Sequence, residues 1–285
     1  MRLLFLLTFS ISAGLPRVVY AEKPTITWGF SDSRNLTGKA YARAITENHP
    51  LFLLLQKKLS DYNHEIFLGT VSRIENELKQ RQLTCFAAST TVEGRVGFAY
   101  LTPSTMFEAP VLVLRKDMAE KFQGKGRSLS LTKIVQDKEM QGTLIEARYY
   151  GSKIDRLLEQ AKGNIHRQVL APIGANTIQM VASRRADYTV EFSFIIEGLR
   201  ESGELNPDLY VAPVEEALDS LPMYVACSRT PEGLKAIRRI DEIIRKNVTT
   251  REYREAIFYA RTPSKNYERD VDHFIKFRAK ASEIH

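Results

Sequence analysis

The sequence predicts an α/β fold, because short buried strands alternate with amphipathic helices along most of the chain. One series of alternating elements covers residues 26–114, and a second series of the same kind is well established by residue 142. Several strands end in polar loops, and sheets of this kind bind ligands beyond the carboxyl ends of their strands. These observations predict a largely parallel sheet with ligand-binding loops at the strand ends.

In the first series, Pro50 begins a predicted helix, because its missing N–H costs nothing at a first helical position. Apolar runs predict strands at 26–30, 64–68, 83–88, 98–101 and 111–114. Hydrophobic periodicity predicts helices at 39–47, 50–59 and 71–80.

In the second series, Ser152 is expected to cap the helix that follows it. Strands are predicted at 142–146, 165–170, 187–191, 209–212 and 223–227. Helices are predicted at 131–136, 152–160, 175–184, 195–199, 231–245, 249–259 and 270–280.

Residues 1–21 have the features of a cleaved signal peptide: a basic start, an apolar core, and Val19-Tyr20-Ala21 as the cleavage site. The apolar run is shorter than the roughly 20 residues that a membrane-spanning helix needs. Cleavage is therefore favoured over retention as an N-terminal anchor, and the remaining chain is expected to be exported.

The chain has 285 residues and a formal net charge of +7. This length is enough for one large domain or for two lobes of ordinary size. The basic residues are spread along the chain without interleaved aromatic residues, so a nucleic-acid partner is disfavoured.

The two cysteines, Cys85 and Cys227, lie in separate apolar runs. They form either a disulfide or two buried thiols, and geometry decides between these alternatives. The histidines are scattered and lack the spacing of metal ligands, so neither a metal site nor a cofactor is expected.

The stretch from Leu83 to Pro103 is the strongest candidate for a ligand site. A buried strand leads into a hydroxyl-bearing loop that contains Thr90 and Thr91, and Arg95 follows. Hydroxyl, backbone N–H and guanidinium donors together suit a small anion such as a carboxylate. The alternative is a surface turn whose arginine is solvated.

Several segments, taken in their order along the chain, resemble the periplasmic solute-binding proteins of type 2, in the family 3 subgroup of polar amino-acid receptors. The segments are residues 59–64, Thr84-Cys85-Phe86 with Thr91, Glu93 and Arg95, then Arg148-x-Tyr150-Gly151, and Arg185-Ala186-Asp187-Tyr188-x-x-Glu191. The resemblance covers the chain after the signal peptide. It implies two α/β lobes with two hinge crossovers, which close over a ligand.

On this resemblance, lobe 1 is discontinuous and holds residues 22–116 and 216–285, and lobe 2 holds residues 117–215. In lobe 1, Arg95 is expected to clamp a ligand carboxylate with help from Thr90 or Thr91. Trp28 and Phe30 are expected to be core residues at the strand end, although in this family aromatic residues at that position often form the floor of the cleft.

In lobe 2, the resemblance implies that the loop with Arg148, Tyr150, Gly151 and Ser152 offers donors to the ligand at a helix start. Glu191 resembles the acid that receives a ligand ammonium group. The structural alternatives are a surface position for Arg148 and an ion pair of Glu191 with a neighbouring arginine, either Arg184 or Arg185.

Two features depart from the family pattern. Gly94 separates Glu93 from Arg95, so the loop either bulges and keeps Arg95 aimed inward, or lets it swing outward. The acid at Glu191 comes one position earlier after Asp187 than in the polar amino-acid receptors, and it is Glu rather than Asp. Both departures argue against a plain α-amino acid as the ligand.

The function implied is binding without catalysis. We expect a monomeric periplasmic protein that captures a small polar ligand, anionic or zwitterionic and amino-acid-like. Its partner would be an ABC importer permease or a membrane sensor. The alternatives are a lyase or dehydratase that uses Glu191 as general base, and an interaction protein that binds no ligand.

Overall fold

The computed structural model describes residues 22–30, 49–80, 82–89, 94–146, 148–168, 175–258 and 265–285. The expected signal peptide, the expected helix at 39–47, and the residues Thr90 and Thr91 lie outside these ranges. The strands are β1 (Thr25–Phe30), β2 (Asn63–Leu68), β3 (Thr84–Ser89), β4 (Ala99–Phe107), β5 (Val111–Arg115), β6 (Gly142–Ile145), β7 (Ile165–Gln168), β8 (Tyr188–Glu191), β9 (Leu209–Pro213) and β10 (Leu221–Ser228).

Helices alternate with strands along much of the described chain, but β3–β5 and β9–β10 are consecutive strands and the last three helices are consecutive. The helices are α1 (Pro50–Lys58), α2 (Val71–Lys79), α3 (Lys116–Ala119), α4 (Leu131–Gln136), α5 (Ser152–Gln160), α6 (Ala175–Ala182), α7 (Ser193–Glu201), α8 (Pro231–Asn247), α9 (Arg251–Phe258) and α10 (Lys265–Arg278). Short 3-10 turns cover Glu120–Phe122 and Lys162–Asn164.

Local sequence sets several helix starts. Pro50 is the first residue of α1, and Pro231 is the first residue of α8, where the Thr230 hydroxyl accepts from the Gly233 N–H at 3.0 Å. The expected cap of α5 is wrong by one residue. Gly151, with a φ of 105°, is the capping residue, and Ser152 is the first helical residue, because only glycine adopts this backbone conformation without strain.

The strands form two sheets of the same design. Their orders are β2-β1-β3-β10-β4 and β7-β6-β8-β5-β9. In each sheet, four strands run in the same direction, and the strand next to one edge is antiparallel to both of its neighbours. Those antiparallel strands, β5 and β10, are the first strands after each passage of the chain from one sheet to the other.

The pairing of the strands corrects one expected lobe boundary. Lobe 1 was expected to extend to residue 116, but β5 pairs with β8 and β9 in the second sheet. The chain therefore crosses at residues 108–110. The apolar run of β5 looks the same in either lobe, so only its hydrogen-bond partners decide where it belongs. The return crossing is at residues 214–220.

Each sheet is covered on both faces. On the first sheet, α1, α8, α9 and α10 bury one face, and α2 packs on the other face through Ile74 and Leu78. On the second sheet, α4 and α5 contribute to one core, and α6 and α7 contribute to the other. Buried apolar faces on both sides explain why the central strands read as continuous hydrophobic runs.

Cys85 and Cys227 form a disulfide between the neighbouring strands β3 and β10. This decides between the two alternatives that the sequence leaves open. In the part of the chain that the structure describes, no helix is both long and apolar enough to cross a membrane.

Candidate functional site

The ends of two strands meet where the chain crosses between the sheets. The ring of Phe107, the last residue of β4, lies 5.5 Å from the ring of Phe192 and 5.3 Å from that of Phe194, measured between centroids. The hydroxyl of Ser193 donates to the Glu108 carboxylate at 3.0 Å. The carboxyl end of β8 in the second lobe therefore lies against the carboxyl end of β4 in the first.

The loop before α5 approaches the first lobe at a second place. A Cβ atom on Gly151 would lie 3.1 Å from Cδ2 of Leu221, at the start of β10. Further along β10, burial raises the pKa of Tyr224 to about 12, and the Glu283 carboxylate and Tyr149 add to the effect. These contacts join the two lobes, and we call the boundary along which the lobes meet the inter-lobe cleft.

In the second lobe, Arg148 and Glu191 are joined to each other at the edge of this cleft. Nη1 of Arg148 donates to Oε2 of Glu191 at 2.5 Å. Glu191 is completely buried at the end of β8. Its carboxylate also accepts from the Phe192 N–H at 3.3 Å and from the Thr177 hydroxyl on α6 at 3.2 Å. The charge is thus compensated inside the protein.

The ion pair between Arg148 and Glu191 excludes the structural alternatives that the sequence left open for these two residues. The partner of Glu191 is Arg148, and not Arg184 or Arg185; Arg184 instead lies 3.5 Å from Asp117. Arg148 is not a surface residue, because only 9% of its side chain is exposed. The correct pairing depends on the distance between the ends of β6 and β8, which the sequence does not contain.

Aromatic rings hold the Arg148 guanidinium in place. Its Cζ atom lies 5.6 Å from the ring centroid of Phe192 and 5.9 Å from that of Tyr150. The Tyr150 and Phe192 rings are stacked, with centroids 6.1 Å apart. Burial raises the pKa of Tyr150 above its usual range. Such cation–π contacts favour a fixed arginine at this site.

The loop that carries these side chains is fastened by Asp155. The Tyr150 N–H donates to the two carboxylate oxygens of Asp155 at 3.4 and 3.3 Å, and the Asp155 N–H donates to the Gly151 carbonyl at 2.9 Å. Burial raises the pKa of Asp155 to about 6. Ser152 is exposed at the first position of α5.

In the first lobe, Arg95 is buried and turned inward. Its Nε and Nη2 donate to Oε1 of Glu75 at 2.9 and 2.6 Å, and its Nη1 donates to the Ser89 hydroxyl at 2.9 Å. Gly94 has a φ of 79° and faces open space. The extra residue therefore forms the turn while the Arg95 side chain stays buried beside β3. The alternative of a solvated Arg95 is wrong.

Phe30 is a core residue at the end of β1. It is 2% exposed, and its ring packs edge-on against Phe52 and His49, with centroids 4.9 and 5.4 Å apart. The structure therefore brings together Arg148, Tyr150 and Glu191, and places Arg95 and Phe30 separately in the first lobe.

Sequence reasoning missed several residues that pair with the candidate site residues or lie at the inter-lobe cleft. Glu75, the partner of Arg95, follows Ile74 on the buried face of α2 and carries no signal of its own. Phe107 and Phe192 lie directly at strand ends, and that position was the one available signal. The missed residues that pair with Arg95 or lie at the inter-lobe cleft are Glu75, Ser89, Phe107, Phe192 and Leu221.

Neither the protein-family models nor the curated proteins compared with the chain match it. Solved structures do match. A histidine kinase sensor domain, described as similar to periplasmic binding proteins, has a TM-score of 0.57 at 16% identity, covering 82% of this chain and 94% of that one. A putative L-cystine ABC transporter from Listeria monocytogenes has a TM-score of 0.57 at 13% identity, covering 84% and 95%.

A third match is an amino acid ABC transporter substrate-binding protein from Streptococcus pneumoniae bound to L-arginine. Its TM-score is 0.57 at 14% identity, covering 88% of this chain and 94% of that one. The chain has the two-lobed, type 2 periplasmic-binding-protein fold. This confirms the expected fold class. At such low identities the likeness establishes the fold, and the ligand has to be argued from the residues themselves.

In the periplasmic-binding-protein fold of this chain, the inter-lobe cleft offers ionic and aromatic groups suited to small polar molecules. Among the described residues, no group of three or more His, Cys, Asp or Glu side chains could hold a metal ion. The charged candidates form two separate arginine–glutamate pairs: Arg148 with Glu191 at the inter-lobe cleft, and Arg95 with Glu75 in the first lobe.

Proposed function

We propose that this protein is an extracytoplasmic solute-binding protein that captures a small polar ligand between its lobes. The ligand class is anionic or zwitterionic and amino-acid-like. One observation carries the proposal: the Arg148–Glu191 pair lies at the end of β8, beside the contacts between Phe107 and Phe192 that join the lobes. A charged pair at a strand end in the cleft of a binding-protein fold suits ligand capture.

The ligand contacts proposed are those on the two sides of the cleft. Arg95 contributes from lobe 1, and Arg148 contributes from lobe 2. The other residues proposed to line or support the ligand site are Thr90, Thr91, Tyr150, Gly151, Ser152 and Glu191. Two or three charge-assisted hydrogen bonds, at roughly 1.5–3 kcal/mol each, are sufficient for micromolar binding after ordering costs.

Binding rather than catalysis is proposed because the candidate general base is already engaged. A lyase or dehydratase on this fold would need a carboxylate free to accept a substrate proton. Glu191 instead accepts hydrogen bonds from Arg148, Thr177 and the Phe192 N–H.

The proposed location is the periplasm, and the proposed partner is an ABC importer permease or a membrane sensor. Two observations support export: the signal-peptide features of residues 1–21 and the Cys85–Cys227 disulfide, which persists in oxidising compartments. Structural matches include both a sensor domain and transporter binding proteins, which agrees with either partner. The protein is proposed to act as a monomer.

The test is a thermal-shift screen of the exported protein against amino acids, short peptides, dicarboxylates and amines. A ligand at about a hundredfold above its Kd adds about 2.7 kcal/mol, which raises Tm by roughly 5–10 °C for a protein of this size. We expect one ligand class to stabilise the protein.

The matched variants are Arg95→Gln, buried beside β3 in the first lobe, and Arg251→Gln on the exposed face of α9. The ligand-induced shift should be lost in Arg95→Gln and kept in Arg251→Gln. If no class of ligand raises Tm, or if the shift in Arg95→Gln equals that of the wild type, the proposed function is wrong.

A further inference from the structure

We propose that Arg148 is a built-in counter-ion that occupies the position beside Glu191 that a ligand ammonium group would take. The inter-lobe cleft therefore selects small anions that lack an ammonium group. The inference rests on the proposed function and narrows the ligand class within it. It makes Arg148 a specificity-determining residue.

The first step is the state of the Glu191 carboxylate. Oε2 accepts from Arg148 and from the Phe192 N–H, and Oε1 accepts from the Thr177 hydroxyl. A carboxylate has few acceptor positions beyond these. A ligand ammonium group at Glu191 must therefore displace Arg148 or compete for what remains.

The second step is that Arg148 is held firmly. Its guanidinium lies near the rings of Tyr150 and Phe192, and the side chain is 9% exposed. If Arg148 moved away, a completely buried Glu191 would lose its cation, and an unpaired buried charge is strongly destabilising. The ion pair is therefore expected to persist when a ligand binds.

The third step is the balance of donors and acceptors in the two arginine–glutamate pairs. Glu75 in the first lobe is likewise paired, because its Oε1 accepts both from Nε and from Nη2 of Arg95. Both carboxylates thus have a guanidinium partner. A guanidinium carries more N–H groups than these bonds use, so Arg148 and Arg95 retain donors for a ligand. A carboxylate ligand can use those donors, whereas an ammonium group cannot.

The experiment compares ligand pairs that differ only in the α-ammonium group. The probes are succinate with L-aspartate, glutarate with L-glutamate, and hydrocinnamate with L-phenylalanine. Binding to the exported wild-type protein is measured by calorimetry. In every pair that binds, the member without the ammonium group should bind about tenfold or more tightly, because one charge-assisted hydrogen bond accounts for that difference.

The variant Arg148→Met removes the cation and keeps a long side chain. Glu191 then lacks a counter-ion, so the preference should reverse, and the amino-acid member should bind about tenfold more tightly. The double variant Arg148→Met with Glu191→Gln buries no unpaired charge and therefore keeps the test decisive if the single variant fails to fold. It should bind both members of a pair within about threefold of each other. Arg251→Met on α9 is the matched surface control.

The outcomes separate this inference from the proposed function. A wild-type preference for the amino-acid member, or for an ammonium-bearing ligand that co-purifies, would overturn the inference and leave the binding function standing. A double variant that keeps the wild-type preference would overturn it as well. If no probe in the broader thermal-shift panel binds, both the inference and the proposed function fail.

Discussion

Cys85 on β3 and Cys227 on β10 are register partners joined by a disulfide, with Cα atoms 4.1 Å apart and 142 residues apart in sequence. The chain leaves the first lobe after β4 and returns to it at β10. The disulfide therefore joins the outgoing and returning parts of the first lobe, and the loop that it closes contains the whole second sheet.

Loss of this disulfide should destabilise the protein. Replacing both cysteines, Cys85→Ala with Cys227→Ala, should cost about 2–5 kcal/mol, because the closed loop is long and the unfolded chain regains its entropy. Tm should fall by roughly 5–15 °C in a thermal melt. Wild-type protein unfolded, reduced and refolded under reducing conditions is the control and should melt like the double variant. An unchanged Tm in both samples would contradict the prediction.

The buried pair of Asp241 and Arg278 should fasten α10 to the first lobe. Arg278 is completely buried and donates from Nη2 to Oδ1 of Asp241 at 2.6 Å and to the Thr102 hydroxyl at 3.0 Å. Arg278→Met should therefore cost up to about 3–5 kcal/mol, because Asp241 loses its buried partner and keeps only Arg245, whose Nε donates to Oδ2 at 3.1 Å. Urea unfolding measures the loss. The double variant Arg278→Met with Asp241→Leu should recover most of it, and a double variant no more stable than Arg278→Met would contradict this account.

Acidification should also weaken the hydrogen bonds that Arg278, Ser282 and Thr102 make to the Asp241 carboxylate. Burial alone would raise the pKa of Asp241, but hydrogen bonds from Arg278, Ser282 and Thr102 outweigh it and lower the pKa below 3.8. A lowered carboxyl pKa adds stability that is present above pH 3.8 and is lost as the pH falls through the folded-state pKa. The difference in unfolding free energy between the wild type and the Arg278→Met/Asp241→Leu variant should therefore shrink on acidification below pH 3.8. A constant difference across this range would exclude a role for Asp241.

The raised pKa of Asp155 predicts a pH dependence of stability with the opposite sign. Burial raises its pKa from 3.8 to about 6, so the folded protein holds the proton more tightly than the unfolded chain. Its contribution to stability should be most favourable below pH 3.8, should decline as the pH rises from 3.8 to about 6, and should then stay constant. Asp155→Asn keeps an acceptor for the Tyr150 N–H and removes the charge. At pH 7 it should be more stable than the wild type by about 1–2 kcal/mol, allowing for partial exposure.

Chemical denaturation at several pH values from about 3.5 to about 7.5 spans this pKa. It measures the difference in unfolding free energy between the wild type and Asp155→Asn. The subtraction removes the contribution of other carboxyl groups. If the two curves run parallel through this range, the raised pKa of Asp155 is wrong.

Trp28 is an intrinsic fluorescence probe of the first lobe. It is the single tryptophan of the chain and is completely buried, and its Nε1 donates to Nδ1 of His64 at 3.0 Å. Burial lowers the pKa of His64 below 6.5, although the Leu59 carbonyl and Asp61 act in the opposite direction. The contribution of His64 to stability should therefore be complete above pH 6.5 and should decline as the pH falls through the folded-state pKa.

The measurement is urea unfolding followed by Trp28 fluorescence at pH 7.5 and about 5.5, one unit below the unbound histidine pKa. The midpoint of the wild type should fall at the lower pH by more than that of His64→Gln, which cannot be protonated. Equal changes in the two proteins would show that His64 does not couple to folding.

The sequence determined the elements and their order. Alternating apolar runs and amphipathic helices depend on local patterns, so the strands at β1, β3 and β8 and the helix starts at Pro50 and Pro231 could be predicted. The resemblance of a few ordered segments also predicted the two-lobed fold. The placement of β5 was wrong, because a buried strand reads the same in either sheet and its partners are not local.

Only the tertiary structure decided which charged groups meet. Arg95, Arg148 and Glu191 were identified in the sequence as candidates for ligand contact, yet the structure pairs Arg148 with Glu191 and Arg95 with Glu75. The strengths of these interactions depend on distance and on exclusion of water, and both are set by which strand ends come together. The same is true of Cys85 and Cys227, whose pairing required two strands far apart in sequence to become neighbours.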